Sequence, residues 1–118
     1  MTRREWVGFC LTFPDAYEDY PFDDDNWTVL RHRSNRKIFA MLYERGGQLF
    51  LNVKCEPMRA ELLRGAYRDV TPGYHMNKEH WNTVLLGGDV PHDEICDMVA
   101  HSYEITRPKQ RKKRGDAQ

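Results

Sequence analysis

Residues 27–54, WTVLRHRSNRKIFAMLYERGGQLFLNVK, decide the fold. Three β-type runs, 27–33, 37–44 and 48–54, are separated by Ser34-Asn35 and by Gly46-Gly47, both hairpin signals, so the segment reads as an antiparallel meander. In the middle run both alternating sets are apolar, Ile38, Ala40 and Leu42 on one side and Phe39, Met41 and Tyr43 on the other. That pattern predicts a central strand with neighbours at both edges or cover on both faces. The third run is one-sided: Leu49, Leu51 and Val53 point one way and Asn52 and Lys54 the other, as in a sheet with one wet face.

Working outward, Trp6, Phe9, Cys10 and Phe13 recur at helical spacing after Thr2, and Pro14 stops them. Beyond the meander, Pro57 suits the first turn of a second helix that ends near Tyr67. Its expected buried side carries Met58, Leu62, Leu63 and Ala66, with Arg59, Glu61 and Arg64 outside. Thr71-Pro72-Gly73 is a turn signal, residues 81–86 read as a strand, and Gly87-Gly88 closes it. A last helix starts at Pro91, Asp93 and Glu94 and carries Ile95, Met98, Val99 and Ser102 to Tyr103 or a little beyond. This order predicts an α+β two-layer sandwich, an antiparallel sheet with helices on one face, in the order α-β-β-β-α-β-β-α. Residues 1–106 form one domain and residues 107–118 a basic flexible C-terminal tail.

The 118 residues, 40% hydrophobic and 12% aromatic, supply one core and leave no length for a separate cofactor domain. No uncharged apolar run approaches the roughly 20 residues that a bilayer requires, which excludes a helical span. With no secretory leader pattern, the expected location is cytoplasmic. Cys10, Cys55 and Cys96 are odd in number and form no CxxC pair, so they read as reduced, buried small hydrophobes. The net charge of +0 hides an asymmetry. Residues 107–118 hold six basic residues against Asp116 alone, a net of +5, so the body carries −5. Within the body, residues 15–25 contribute six carboxylates and no basic side chain.

The densest polar and aromatic run is residues 72–82, PGYHMNKEHWN, in a loop entering a strand. His75 and His80 are five apart and lack a third ligand at a familiar offset, while His92 and Cys96, at helical spacing, are as well explained by a helix start. No metal site is expected. No nucleophile elbow or catalytic cysteine signature is present, His75 and His80 have no partner for general-base work, and the paired glycines lack a phosphate-loop pattern. The expectation is therefore no catalytic residues, no cofactor and no enzyme. Cations around the first hairpin, Arg31, Arg33, Arg36 and Lys37, and Lys78 with Tyr74, His75, Asn77 and Trp81 in the dense loop, carry the chemistry that nucleic acid needs. Lys and Arg neutralise phosphates; Tyr, His and Asn add stacking and hydrogen bonds. The same residues also suit a solvated sheet edge above a packed loop. The tail, by charge alone, attracts any polyanion.

Residues 72–84, PGYHMNKEHWNTV, resemble the signature of the MmcQ/YjbR family of small bacterial proteins. In the same order, residues 13–22 (FPDAYEDYPF), Lys37-Ile38-Phe39-Ala40, Val53-Lys54-Cys55-Glu56-Pro57 and Ser102-Tyr103 are similar to its other landmarks, so the resemblance spans about residues 1–105. It implies a compact CyaY-like or secretion-chaperone-like α+β fold and a DNA-binding role through a double wing. Carried onto this chain, the wings are the hairpin at residues 33–37 and the loop at residues 73–81. Arg33, Arg36, Lys37 and Lys78 would meet phosphates, and Tyr74, His75 and Asn77 sugar or base edges. Asp23-Asp24-Asp25 is least suited to lying against phosphate. The rival expectation is a protein-interaction module that docks a partner chain or a second copy of itself.

Overall fold

Thr2 starts the first helix, α1 (Arg3–Leu11), through reciprocal caps: its hydroxyl accepts from the Glu5 amide at 3.1 Å and Glu5 Oε1 accepts from the Thr2 amide at 2.8 Å. Such a box satisfies amides that a helix start leaves without partners. The computed structural model describes residues 1–109; the expected flexible tail lies outside them from residue 110 onward. After α1 come β1 (Ala16–Asp19), β2 (Thr28–His32), β3 (Ile38–Arg45), β4 (Gln48–Lys54), α2 (Pro57–Ala66), β5 (Val70–Pro72), β6 (Trp81–Leu85) and α3 (His92–Thr106). The six strands make one antiparallel sheet in the order β1-β2-β3-β4-β6-β5. α1 packs on β1 and β2, α3 on β3 and β4, and α2 on β5 and β6. The result is the expected α+β two-layer sandwich with its main apolar core between helices and sheet. Among the described residues no helix is long and apolar enough to cross a membrane.

One strand was missing from the expected order. β1 lies inside the acidic stretch, where Ala16-Tyr17-Glu18-Asp19 shows no apolar alternation. Its carboxylates gain partners only in the folded chain: Arg4 of α1 reaches Glu18 at 2.7 Å and Arg31 of β2 reaches Asp19 at 2.8 Å. Charged side chains are a common protection for such an edge strand.

The β2–β3 register steps from Leu30↔Ala40 to Arg31↔Ile38, leaving Phe39 unpaired in a bulge. The Phe39 ring enters the helix-side core, 5.3 Å from Tyr103 and 5.2 Å from His32 between centroids. On the other side of β3, pairing with β4 ends at Ala40↔Val53. Ser102 of α3 occupies that opening. Its hydroxyl donates to the Phe39 carbonyl at 2.6 Å and accepts from the Lys54 amide at 2.9 Å, so a fully buried side chain replaces a missing ladder bond. The neighbouring Tyr103 hydroxyl donates to the Pro14 carbonyl at 2.7 Å and ties α3 to the turn between α1 and β1.

α2 is rolled away from its expected orientation. Met58 and Leu62, expected inside, are 77% and 69% exposed; Ala66 is also exposed and Ala60 is the buried residue. Arg64, expected outside, turns in, its Nε donating to Asn82 Oδ1 at 2.7 Å and its other arm to the Lys78 carbonyl. The helix lies at the β5–β6 margin, where a guanidinium anchor and a close Ala60 contact fix its roll. The expected wet side of β4 also differs: Asn52 is fully buried. Cys10 and Cys55 are buried as expected, and burial pushes the Cys10 thiol up to about 12, whereas Cys96 is only half-buried.

Ser102→Ala strands a part-buried amide and a buried carbonyl together, and loss of a buried partner typically costs about 1–3 kcal/mol. Chemical denaturation is expected to show a lower midpoint with an unchanged slope. An unchanged midpoint would show that water or a register shift closes the gap.

Candidate functional site

The sheet face opposite the helices carries a second buried cluster, organised by Asn52. Its Oδ1 accepts from Thr83 Oγ1 at 2.7 Å and from the Tyr43 hydroxyl at 3.1 Å, and its Nδ2 donates to the Tyr74 carbonyl at 2.9 Å. Thr83 Oγ1 in turn accepts from the Tyr74 amide at 2.8 Å. Two side chains from adjacent strands thus hold both backbone groups of Tyr74. The loop at residues 73–80, which leaves the ends of β5 and β6, is drawn back over the sheet by these bonds. Gly73 lets it turn closely: a β-carbon there would stand 2.6 Å from Trp81 Cβ and 3.0 Å from the Trp81 carbonyl oxygen.

Folding the loop back completes an aromatic stack. Trp27 lies on Tyr43 with centroids 4.1 Å apart and planes at 19°, and Tyr74 stands parallel to Trp27 at 6.3 Å and 8°. Phe22 meets Trp27 edge-on at 6.2 Å, and His75 lies 4.1 Å from Tyr74 and 6.1 Å from Trp27. Arg45 lies over the Tyr74 and Phe50 rings, its Cζ 4.2 Å from the Tyr74 centroid and 5.0 Å from that of Phe50. Between these groups opens a bay of about 530 Å³, whose rim also carries Asp24, Asn26 and Glu44. Its volume falls in the range of small-ligand sites. Burial holds the Tyr43 hydroxyl above the ordinary phenol value, so it stays protonated and serves as a donor.

The seven residues expected to contact nucleic acid divide into two groups. Arg33, Arg36 and Lys37 are exposed on the β2–β3 hairpin. That hairpin is firmly held: Asn35 Nδ2 donates to the Thr106 carbonyl at 3.0 Å, Asp15 accepts from the Ser34 amide at 2.9 Å, and His32 Nε2 lies 2.7 Å from Thr106 Oγ1. Because the Thr106 hydroxyl donates to the Ser102 carbonyl at 2.7 Å, the imidazole is its donor. Burial lowers the His32 pKa, which suits a neutral ring. Arg36 adopts φ 62°, an uncommon left-handed conformation for its residue type.

The loop group is engaged differently. Lys78 Nζ donates to the Gly73 carbonyl, Asn77 Oδ1 accepts from the Glu79 and His80 amides at 2.9 and 3.1 Å, and Tyr74 and His75 face Trp27. By register, hairpin and loop leave the same end of the sheet with β4 between their strands, but Tyr74 and His75 fold back over the face toward Tyr43 and Arg45. The sequence reading singled out Tyr74 and His75 and missed their partners Trp27, Tyr43, Phe22 and Arg45. The only signal for these was the doubly apolar middle strand, which asked for cover on both faces. Among the described residues no group of three or more His, Cys, Asp and Glu is arranged to hold a metal.

Comparison with known proteins places this architecture. A profile described as YjbR matches residues 11–105. The chain is 35% identical over 104 residues to the uncharacterised protein YjbR of Escherichia coli, covering 88% of this chain and 86% of the relative. It is 34% identical over 107 residues to the uncharacterised protein YyaQ of Bacillus subtilis, covering 81% and 86%. A Pseudomonas syringae crystal structure superposes with a TM-score of 0.81 at 30% identity, over 91% of this chain and all of that one. A Deinococcus radiodurans structure gives a TM-score of 0.81 at 32% identity, over 97% of this chain and 80% of the other.

Gly73→Ala tests whether the close approach builds the site. Overpacking of this kind typically costs about 1–3 kcal/mol. The expected result is a lower thermal midpoint together with altered emission from Trp27, the one half-exposed tryptophan of the described residues. Unchanged stability and emission would mean that the loop accommodates a methyl group without moving.

Proposed function

The chain belongs to the YjbR family, and for it we propose a non-enzymatic DNA-binding module that takes the phosphate backbone at the β2–β3 hairpin. The observation that carries this reading is the display of Arg33, Arg36 and Lys37 within five residues of an anchored turn. Among the described residues none of the three is paired with a carboxylate at salt-bridge distance. Arg33 lies over Tyr17, its Cζ 5.0 Å from the ring centroid, a contact that leaves its donors free. A fixed turn loses little entropy when cations meet phosphate, and each neutralised phosphate releases counterions. Lys78, expected at phosphate, and Tyr74, His75 and Asn77, expected at sugar or base edges, bond or stack within their own part of the molecule, so the hairpin cations carry this reading. Asp24 lines the aromatic bay, with Asp23 and Asp25 beside it in the chain, and phosphate avoids that acidic segment in this reading.

A second reading has an observation of its own. Met58 and Leu62, one helical turn apart on α2, form an exposed apolar pair of the kind found where protein chains meet. On that reading the module docks a partner chain or a second copy.

Duplex binding followed by anisotropy across salt separates the two, with Lys109, Arg111, Lys112, Lys113 and Arg114 replaced by serine to silence the tail. Adding Arg33→Gln, Arg36→Asn and Lys37→Gln, where asparagine tolerates the left-handed turn position, is expected to weaken binding more than tenfold. It should also flatten the log–log salt slope by about 3, at ~0.9 per lost phosphate contact. Equal affinity and slope in the two proteins would overturn the DNA reading and leave the α2 pair to be examined by sedimentation.

A further inference from the structure

The bay beside Trp27 is independent of the hairpin, and we propose that it is a binding site for a small organic cation with a fully alkylated nitrogen, a choline-like headgroup. The inference does not rest on the DNA reading. Its first support is the wall chemistry. Trp27 is backed by Tyr43 at 4.1 Å, met edge-on by Phe22 at 6.2 Å and flanked by the parallel Tyr74, so aromatic surfaces enclose the space from several directions. Aromatic faces attract cations through their quadrupole, tryptophan most strongly, and quaternary ammonium ions are recognised in aromatic cages on this principle. The stack already holds one cation: Arg45 sits 4.2 Å over Tyr74.

The second support is charge. Asp24 and Glu44 stand on the rim against Arg45 and His75, with Asp23 and Asp25 adjoining in sequence. Arg3 reaches Glu44 only at 3.7 Å, and the Glu44 side chain remains 60% exposed. Exposed carboxylates thus stand at the mouth of an aromatic wall. This combination selects among ligands. A nucleotide would stack, but it would carry its phosphate against the carboxylates. A primary ammonium gives up strong hydration and needs acceptors aimed at its protons, whereas the bay offers ring faces inside and carboxylates only at the rim. An alkylated nitrogen carries charge without donors and is weakly hydrated, so the π surfaces hold it and the rim supplies the field.

The test uses the full chain. Emission from Trp27 is titrated with choline chloride, with its uncharged carbon isostere dimethylbutanol, with adenosine, and with sodium chloride as ionic control. Trp6 and Trp81 are 4% and 9% exposed, so they respond little to a surface ligand. The expected outcome is saturable choline binding at least about tenfold tighter than dimethylbutanol, within the range of a partly desolvated cation–π contact. The Asp24→Asn, Glu44→Gln pair, in which asparagine keeps an acceptor for the Asn26 amide and glutamine removes only a 3.7 Å pairing with Arg3, should weaken choline about fivefold and leave dimethylbutanol unchanged, with folding checked by the unfolding midpoint. Equal binding of the two isosteres, preference for adenosine, absence of saturable choline binding, or a response that survives Trp27→Phe would each overturn the proposal.

Discussion

A primary amide buried without partners is among the costlier things a small protein can contain, and Asn52 places one in the middle of the sheet face that no helix covers. Its bonds to Tyr43, Thr83 and the Tyr74 carbonyl satisfy it only if residues 73–80 fold back across the strands. Once the loop is there, Tyr74 reaches the Trp27–Tyr43 stack and Arg45 reaches Tyr74. The bay is the space left between that loop and the segment before β2. A polar requirement in the sheet thereby gives the protein a second packed surface, and with it a concave one.

The two sides of the sheet are held by different means. On the helix side apolar burial dominates, with Ser102 and Tyr103 supplying the few polar ties where the Phe39 bulge opens the ladder. Several sequence landmarks that look functional have structural work there or in the loop. Ser102 closes the bulge, Gly73 makes room for Trp81, Asn77 caps the turn at Glu79 and His80, and Lys78 holds the Gly73 carbonyl. The exposed cations of the β2–β3 hairpin and the aromatic bay then remain as distinct surfaces, and the two proposals rest on them separately.

Much of this was legible before folding. The period-two runs and paired turn residues of 27–54 fix the three central strands because alternation and hairpin chemistry are local properties. The helices at Trp6 and at Ile95 follow from their spacing. What was hidden depended on partners distant in sequence. β1 shows no apolar pattern because its carboxylates answer to Arg4 and Arg31, and α2 is rolled because Arg64 finds Asn82. Asn52 looked like a solvent-facing position because nothing near it in the chain announces a covering loop. For the same reason the dense run at 72–82 was visible as a candidate, while its union with Trp27 and Tyr43 was not.

The dependence of the bay on the buried amide is open to one direct measurement, hydrogen exchange at individual amides in a protein carrying Asn52→Leu and Thr83→Val. These substitutions keep an apolar interior but remove both holds on Tyr74. The account requires the Tyr74 amide to exchange at least about tenfold faster while Leu42 and Val53, in the central ladder, retain their protection. Protection at Tyr74 equal to that of the parent protein would show that packing alone seats the loop, and the account would fail.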